Sequence, residues 1–98
     1  MIERERLIKL FDIYSSLFTD KQALYFKDYY YEDLSLSEIA DNYNVSKTIV
    51  GKTINKVEKK LEEYEKDLNV LKIIDGLVAI KEKTNDSQIK KDIEDLLK

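Results

Sequence analysis

Residues 35–60 read SLSEIADNYNVSKTIVGKTINKVEKK, and they contain the clearest structural motif of the chain. Ser35 and Glu38 have the spacing of a capping box, in which the two side chains bond to free amides at the start of a helix. Asn44 tolerates a left-handed backbone conformation, and Ser46 is a favourable N-cap for a following helix. Before this turn lies the apolar face of a short helix: Leu36, Ile39, Ala40 and Tyr43. Together these features predict a helix-turn-helix whose second helix starts after Ser46.

The helix after Ser46 is predicted to be long. Its apolar residues alternate in spacings of three and four, which is typical of one face of a continuous helix. The stripe begins at Ile49 or Val50 and continues through Ile54, Val57, Leu61, Tyr64, Leu68 and Leu71. Asn69 is the residue at which we expect this helix to end or bend.

Helical patterns also cover the rest of the chain. An amphipathic helix is expected at residues 2–18, and Thr19 with Gln22 forms a second capping-box pattern ahead of the next helix. Two more helices are expected at 70–83 and after the turn at 84–87. The chain has no proline and two glycines, so helix-breaking residues are rare. The predicted fold class is all-α.

Chain length and composition point to one domain. With 98 residues, of which 43% are hydrophobic, the chain can form one modest core. We expect a single domain at 1–98, with a helix-turn-helix core at 19–60 and a C-terminal helical extension at 61–98. This extension is expected to mediate dimerisation.

Composition also disfavours several functional classes. The chain contains neither histidine nor cysteine, which removes the commonest general base, the commonest zinc ligand and any thiolate metal site. We therefore expect no enzyme activity, no metal and no cofactor. Apolar runs are only a few residues long, far below the roughly 20 residues that a membrane span needs. The expected location is the cytoplasm, without a membrane span.

Positive charge is concentrated in one segment. Residues 46–60 carry five lysines and one glutamate, a net charge of +4, although the whole chain has a net charge of −3. Amides at a helix N-terminus favour phosphate, lysine binds phosphates or guanine, asparagine pairs with adenine, and threonine contacts the thymine methyl group. Gly51 is expected to face outward and to permit close approach of a partner. The candidate DNA-binding residues are Ser46, Lys47, Thr48, Gly51, Lys52, Asn55, Lys56, Lys59 and Lys60.

Two other interpretations of this basic segment stay open. A helix-turn-helix can dock on a protein instead of DNA, and lysines on a helix often form only a solvated face. What favours double-stranded DNA is a coincidence of position. The one strongly basic segment begins where the pattern predicts a recognition helix.

A longer set of residues resembles a known family. The run at 17–68 opens with LFTDKQ, continues with a double tyrosine and the entry DLSLSEIA, and leads into the helix-turn-helix. In this order, the motifs resemble the YlxM-like family of small bacterial proteins. The matching positions are Phe18, Thr19, Lys21, Gln22, Tyr25, Tyr29, Tyr30, Asp33, Leu34, Ser35, Leu36, Glu38, Ile39, Ala40, Val45, Ser46, Ile54 and the stretch 62–65.

The resemblance implies a cytoplasmic, all-helical regulatory protein. It also implies a helix-turn-helix similar to the promoter-reading region of sigma factors, winged-helix-like but without a wing, and a link with the signal recognition particle pathway. At the start of the recognition helix, the family's usual arginine-glutamine pair is Lys47-Thr48 here, and its usual tyrosine is Gly51. Base preference is therefore not carried over.

Two kinds of partner follow from these patterns. Operators are commonly bound by two-fold dimers, and the long apolar stripe with the last helix exceeds what the early helices can cover. We therefore expect a homodimer through the C-terminal half. The alternative function is a protein-interaction module that docks on RNA polymerase or on a secretion component without reading DNA.

Overall fold

The computed structural model describes residues 2–98, and within this range the chain forms α-helices and no strand. The predicted all-α fold class is confirmed, and so is the helix-turn-helix. The helices are α1 (Ile2–Tyr14), α2 (Asp20–Tyr30), α3 (Leu36–Tyr43), α4 (Lys47–Leu68), α5 (Val70–Lys83) and α6 (Ser87–Leu97).

The predicted helix starts are confirmed atom by atom. The hydroxyl of Thr19 accepts a hydrogen bond from the Gln22 amide at 3.2 Å, and the Gln22 side chain accepts one from the Thr19 amide at 3.0 Å. Ser35 and Glu38 make the same reciprocal pair at 3.1 and 3.0 Å. These bonds satisfy amides that a helix start leaves without partners.

The helix predicted at 2–18 is shorter than expected. It is α-helical to Tyr14 and then tightens into a 3-10 turn at Ser15–Leu17. Serine side chains compete with the backbone for hydrogen bonds, so two adjacent serines weaken a helix interior. The turn lets the chain reverse into α2, and Phe18 packs its ring on Phe11 at a centroid distance of 5.9 Å.

Helices α1 to α4 enclose the hydrophobic core, and we call this part the body. Two rings stack at its centre, with Phe11 and Phe26 4.4 Å apart between centroids. The side chains with almost no solvent exposure come from all four helices: Leu10, Phe11, Tyr25, Phe26, Ile39, Val50, Val57 and Leu61. Long helix α4 packs against each of the other three helices. The predicted core limit at residue 60 falls inside α4, which continues to Leu68.

A buried carboxylate joins the body to the next helix. Asn69 has a left-handed backbone conformation at the predicted end of α4, and its side chain does not cap α5. Glu65 instead accepts hydrogen bonds from the amides of Leu71 and Lys72 at 3.0 and 3.1 Å, and from the Tyr14 hydroxyl at 2.8 Å. Since Tyr14 belongs to α1, this junction connects three helices.

Helices α5 and α6 form a hairpin that we call the arm. It gives the molecule an elongated shape of 55 × 25 × 23 Å. The radius of gyration is 16.8 Å, compared with about 13 Å for a compact domain of this length. Within residues 2–98, no helix is both long and apolar enough to cross a membrane.

Candidate nucleic-acid interface

The corner between α3 and α4 is fixed by local hydrogen bonds. Asn44 ends α3 with φ 54° and ψ 47°, the left-handed conformation that its sequence position predicted. The amide of Val45 donates to the Ala40 carbonyl at 3.0 Å. Ser46 then caps α4, because its hydroxyl accepts from the Ile49 amide at 3.1 Å. These contacts set the direction in which α4 leaves the corner.

The buried side of α4 determines which residues face solvent. Val50, Ile54, Val57 and Leu61 are all buried, at spacings of four, three and four residues. With 3.6 residues per turn, a stripe displaced by two residues lies on the opposite side of the helix. That opposite stripe consists of Thr48, Lys52, Asn55 and Lys59, and all four are exposed.

Two further lysines extend this exposed stripe. Lys56 is exposed beside Lys52, and Lys47 is exposed at the first residue of α4. The helix start at Ser46 also leaves its first amides without intrahelical partners. We call the set of Lys47, Thr48, Lys52, Asn55, Lys56 and Lys59 the basic face.

The lysines of the basic face differ in their acidic neighbours, because Lys59 lines a surface depression that also contains Glu3, Glu58, Glu62 and Glu63. Among the described residues, Lys47, Lys52, Lys56 and Lys59 take part in no ion pair. Their positive charge is therefore available to a partner.

Lys60 differs from these lysines. It is half-buried and pairs with Glu63 at 3.6 Å. Helix geometry also turns it about 100° away from Lys59. Lys60 was predicted as a site residue together with Lys59, but in the structure it lies beside the basic face and is not part of it.

Gly51 also lies differently from its prediction. It was expected to face outward, but it is half-buried on the side of α4 that packs against α3. A methyl group added there would be 3.6 Å from Cδ1 of Leu36. The outward orientation was wrong because the residues of α3 that cross α4 could not be located from sequence spacing alone.

Two carboxylates close to the basic face form contacts with side chains of other helices in the body. Glu58 accepts a hydrogen bond from the Tyr30 hydroxyl. Burial and the adjacent Glu58 carboxylate raise the pKa of Tyr30, so this hydroxyl keeps its proton at neutral pH. Glu62 forms a two-point ion pair with Arg6 at 2.8 and 3.0 Å.

These carboxylate contacts were not predicted from the sequence. Arg6 and Glu62 are 56 positions apart, and Tyr30 and Glu58 are 28 apart. Neither pair belongs to a local motif, so only the packed fold reveals them. Their effect is to direct Glu58 and Glu62 toward the body, whereas the exposed Glu63 pairs with Lys60. Within residues 2–98, no three side chains of metal-binding type come together.

Comparison with known proteins gives one consistent family. The family model described as "Putative helix-turn-helix protein, YlxM / p13 like", UPF0122, matches residues 1–98. The UPF0122 protein of Mycoplasma capricolum subsp. capricolum is 47% identical over 83 residues, which cover 85% of this chain and 74% of the relative. A UPF0122 protein of Shouchella clausii is 52% identical over 66 residues, with coverages of 67% and 61%. One from Bacillus cereus is 47% identical over 72 residues, with coverages of 72% and 66%.

Proposed function

Because the chain belongs to UPF0122, the YlxM/p13-like helix-turn-helix family, we propose that it binds double-stranded DNA through the basic face of α4. In this proposal α4 is the recognition helix and enters the major groove. Helix α3 contacts the DNA backbone, as the first helix of such a pair commonly does.

The observation that carries this proposal is the division of α4 into two opposite stripes. One stripe is buried in the body. The other is exposed and carries two lysines and two short polar residues: Thr48, Lys52, Asn55 and Lys59. A recognition helix needs this combination, because cations contact phosphates while short polar side chains contact base edges. Among the described residues, the four lysines of the basic face form no ion pair, which supports the same role.

The basic-face residues have different roles in the proposal. Lys47, Lys56 and Lys59 neutralise phosphates, and Ser46 leaves helix amides available for a further phosphate. Lys52 and Asn55 lie at the centre of the exposed stripe, where they contact guanine and adenine edges. Thr48 contacts a thymine methyl group. Gly51 and Lys60, at the two sides of the stripe, are the weakest candidates.

We also propose that the protein regulates transcription as a cytoplasmic homodimer. A two-fold dimer presents two recognition helices to half-sites about one helical turn of DNA apart. The likeness to sigma factors and the link with the signal recognition particle pathway stay predictions from the family resemblance. Docking on a transcription or secretion protein is the outcome that the following experiment separates from DNA binding.

The direct test is to replace Lys47, Lys52 and Lys56 by alanine together and to measure duplex binding by fluorescence anisotropy. Binding to a pool of random duplexes should weaken strongly. The dependence of log K on log salt should lose about 0.9 in slope for every phosphate contact removed.

A matched control has the same change in net charge at another place. Lys9, Lys72 and Lys91 are exposed, one each on α1, α5 and α6, and their combined replacement by alanine should leave duplex binding nearly unchanged. Equal losses in the two triple variants would show attraction by net charge alone. Unchanged binding by the first triple variant would refute the assignment, and a protein partner captured without salt-sensitive duplex binding would support docking.

A further inference from the structure

The arm carries apolar side chains that nothing in the described chain covers. Leu71 and Ile93 are its buried residues. The exposed large apolar side chains of the arm are Ile73 at 56%, Val78 at 37%, Ile80 at 52%, Ile89 at 43% and Leu96 at 71%. A two-helix hairpin of this length buries too little apolar surface to be stable by itself.

The contact between α5 and α6 shows which faces of the two helices meet. Lys81 of α5 pairs with Glu94 of α6 at 3.1 Å, and Ile93 is buried nearby. The short turn at 84–86 makes the two helices antiparallel neighbours. With these contacts as the reference, helical periodicity determines where every other side chain of the arm lies.

Four of the five exposed large apolar residues of the arm fall on one side of the hairpin, and the fifth, Val78, lies on the other. On α5, Ile73 and Ile80 lie about a quarter turn from the α6 contact. On α6, Ile89 and Leu96 lie about a quarter turn from the α5 contact, toward the same side. We call these four residues, with Gly76, the arm face.

The opposite side of the hairpin is mostly charged, with Val78 as its exposed large apolar residue. It carries Asp75 and Glu82 on α5, and Lys91 and Lys98 on α6, all of them exposed. The arm is therefore an amphipathic pair of helices, with its contact to the body near Leu71 and Tyr14.

We propose that a second copy of this chain covers the arm face, so that two arms form an antiparallel four-helix bundle around a two-fold axis. This proposal deepens the homodimer of the proposed function by naming its contact surface. Four-helix bundles are a common solution for helices with one apolar side each. In a two-fold interface the same patch contacts itself, so the patch must be self-complementary.

The charge of the arm favours a second copy as its occupant. Residues 70–98 contain six lysines and six acidic residues, a net charge of zero. Two arms therefore approach without net repulsion, and acidic and basic side chains flank both apolar faces.

Gly76 gives the arm face a shape that fits a helix of the partner. A methyl group built at Gly76 would have no atom within 4 Å. Gly76 lies three residues after Ile73 and four before Ile80, so it forms a depression between two exposed side chains. A large side chain of the partner's α5 can enter this depression, as knobs enter holes in helix packing.

The first test measures molar mass by light scattering over a concentration series, without DNA. The wild-type protein should have twice the mass of one chain. The variant Ile73→Glu with Ile80→Glu should have half the wild-type mass with unchanged circular dichroism, since both side chains are exposed. The control Leu17→Glu with Leu24→Glu changes two exposed leucines away from the arm, at 52% and 42%, and should stay dimeric.

The second test uses the absence of cysteine in the natural chain. A single Gly76→Cys substitution should give a disulfide-linked dimer under mild oxidation, because a disulfide requires Cα atoms about 4.4–6.8 Å apart. Glu82→Cys, on the charged side of α5, should give several-fold less disulfide-linked dimer under the same oxidation. Equal cross-linking at the two positions, or a single-chain mass for the wild type at all concentrations, would overturn the arm-to-arm dimer.

These outcomes are separate from those of the lysine experiment. A monomeric protein that still binds duplexes through the basic face would refute the arm proposal alone. A dimer through the arm face that does not bind duplexes would refute the proposed function alone.

Discussion

The body and the arm are both built from amphipathic helices, but they bury their apolar faces to different extents. In the body, four helices close on one another, and side chains such as Leu10, Phe26 and Val57 have essentially no exposure. In the arm, two helices contact each other on one side and leave Ile73 and Leu96 more than half exposed. The comparison teaches that an apolar stripe predicts a helix, while the number of neighbouring helices decides whether the stripe is covered.

The largest expected effect comes from the centre of the body. Phe26→Ala removes a fully buried ring that stacks on Phe11 at 4.4 Å, and it should lower the free energy of unfolding by about 3–5 kcal/mol. Ile80→Ala in the arm should cost less than about 0.5 kcal/mol in dilute, monomeric protein. Urea unfolding measures both values. Similar losses in the two variants at low concentration would show that the arm is as well packed as the body.

The junction between body and arm should give the next largest effect. Glu65→Ala leaves the amides of Leu71 and Lys72 and the Tyr14 hydroxyl without their acceptor. Unpaired buried donors of this kind cost about 1–3 kcal/mol. We therefore expect a loss of about 2–3 kcal/mol in the free energy of unfolding. Tyr14→Phe, which removes one donor only, should cost less.

The same carboxylate makes stability depend on pH. Burial by itself raises the pKa of Glu65, but hydrogen bonds from Tyr14, Leu71 and Lys72 and the charge of Arg6 outweigh it, so the pKa lies below the ordinary 4.5. The unfolded chain therefore binds this proton first as pH falls. The stabilisation should be complete well above pH 4.5 and should disappear as pH falls from there through the folded pKa.

Glu65→Gln is the control for this pH dependence, because it cannot ionise. The difference in unfolding free energy between wild type and Glu65→Gln should be largest at neutral pH and should shrink in acid. A difference that does not change between neutral and acidic pH would show that ionised Glu65 does not hold the junction.

Local chemistry explains why much of the fold was predictable. Capping boxes, the left-handed Asn44, the helix end at Asn69 and the N-cap Ser46 depend on residues within a few positions of each other, and all of them are observed. The buried stripe of α4 from Val50 to Leu61 also follows from spacing, but Leu68, which belongs to the same predicted stripe, is 52% exposed.

Contacts between distant residues explain what was missed. The engagement of Glu62 by Arg6 and the hydrogen bond from Tyr14 to Glu65 require helices that are far apart in sequence to pack together. The position of Gly51 against Leu36 has the same origin, because spacing along α4 does not tell which side α3 covers. For the candidate site, the sequence indicated which residues are basic, and the fold showed which of them share one face.

The smallest expected effects come from the two glycines, one in the body and one in the arm. Alanine is a better helix former than glycine by about 1 kcal/mol in a helix interior. Gly51→Ala would place its methyl group 3.6 Å from Leu36, an ordinary contact distance, and Gly76→Ala would place it in open space. Each change should therefore raise the free energy of unfolding of the monomer by about 0.5–1 kcal/mol.

The two glycine variants should differ in their binding properties. Gly51→Ala should keep duplex affinity, because the added methyl group points toward α3 and not along the exposed stripe. Gly76→Ala should weaken the dimer, because the methyl group fills the depression between Ile73 and Ile80. Anisotropy titration and light scattering measure these two properties. Loss of duplex binding by Gly51→Ala would show that this glycine faces the DNA. An unchanged dimer for Gly76→Ala would show that the partner's helix does not pack on this glycine.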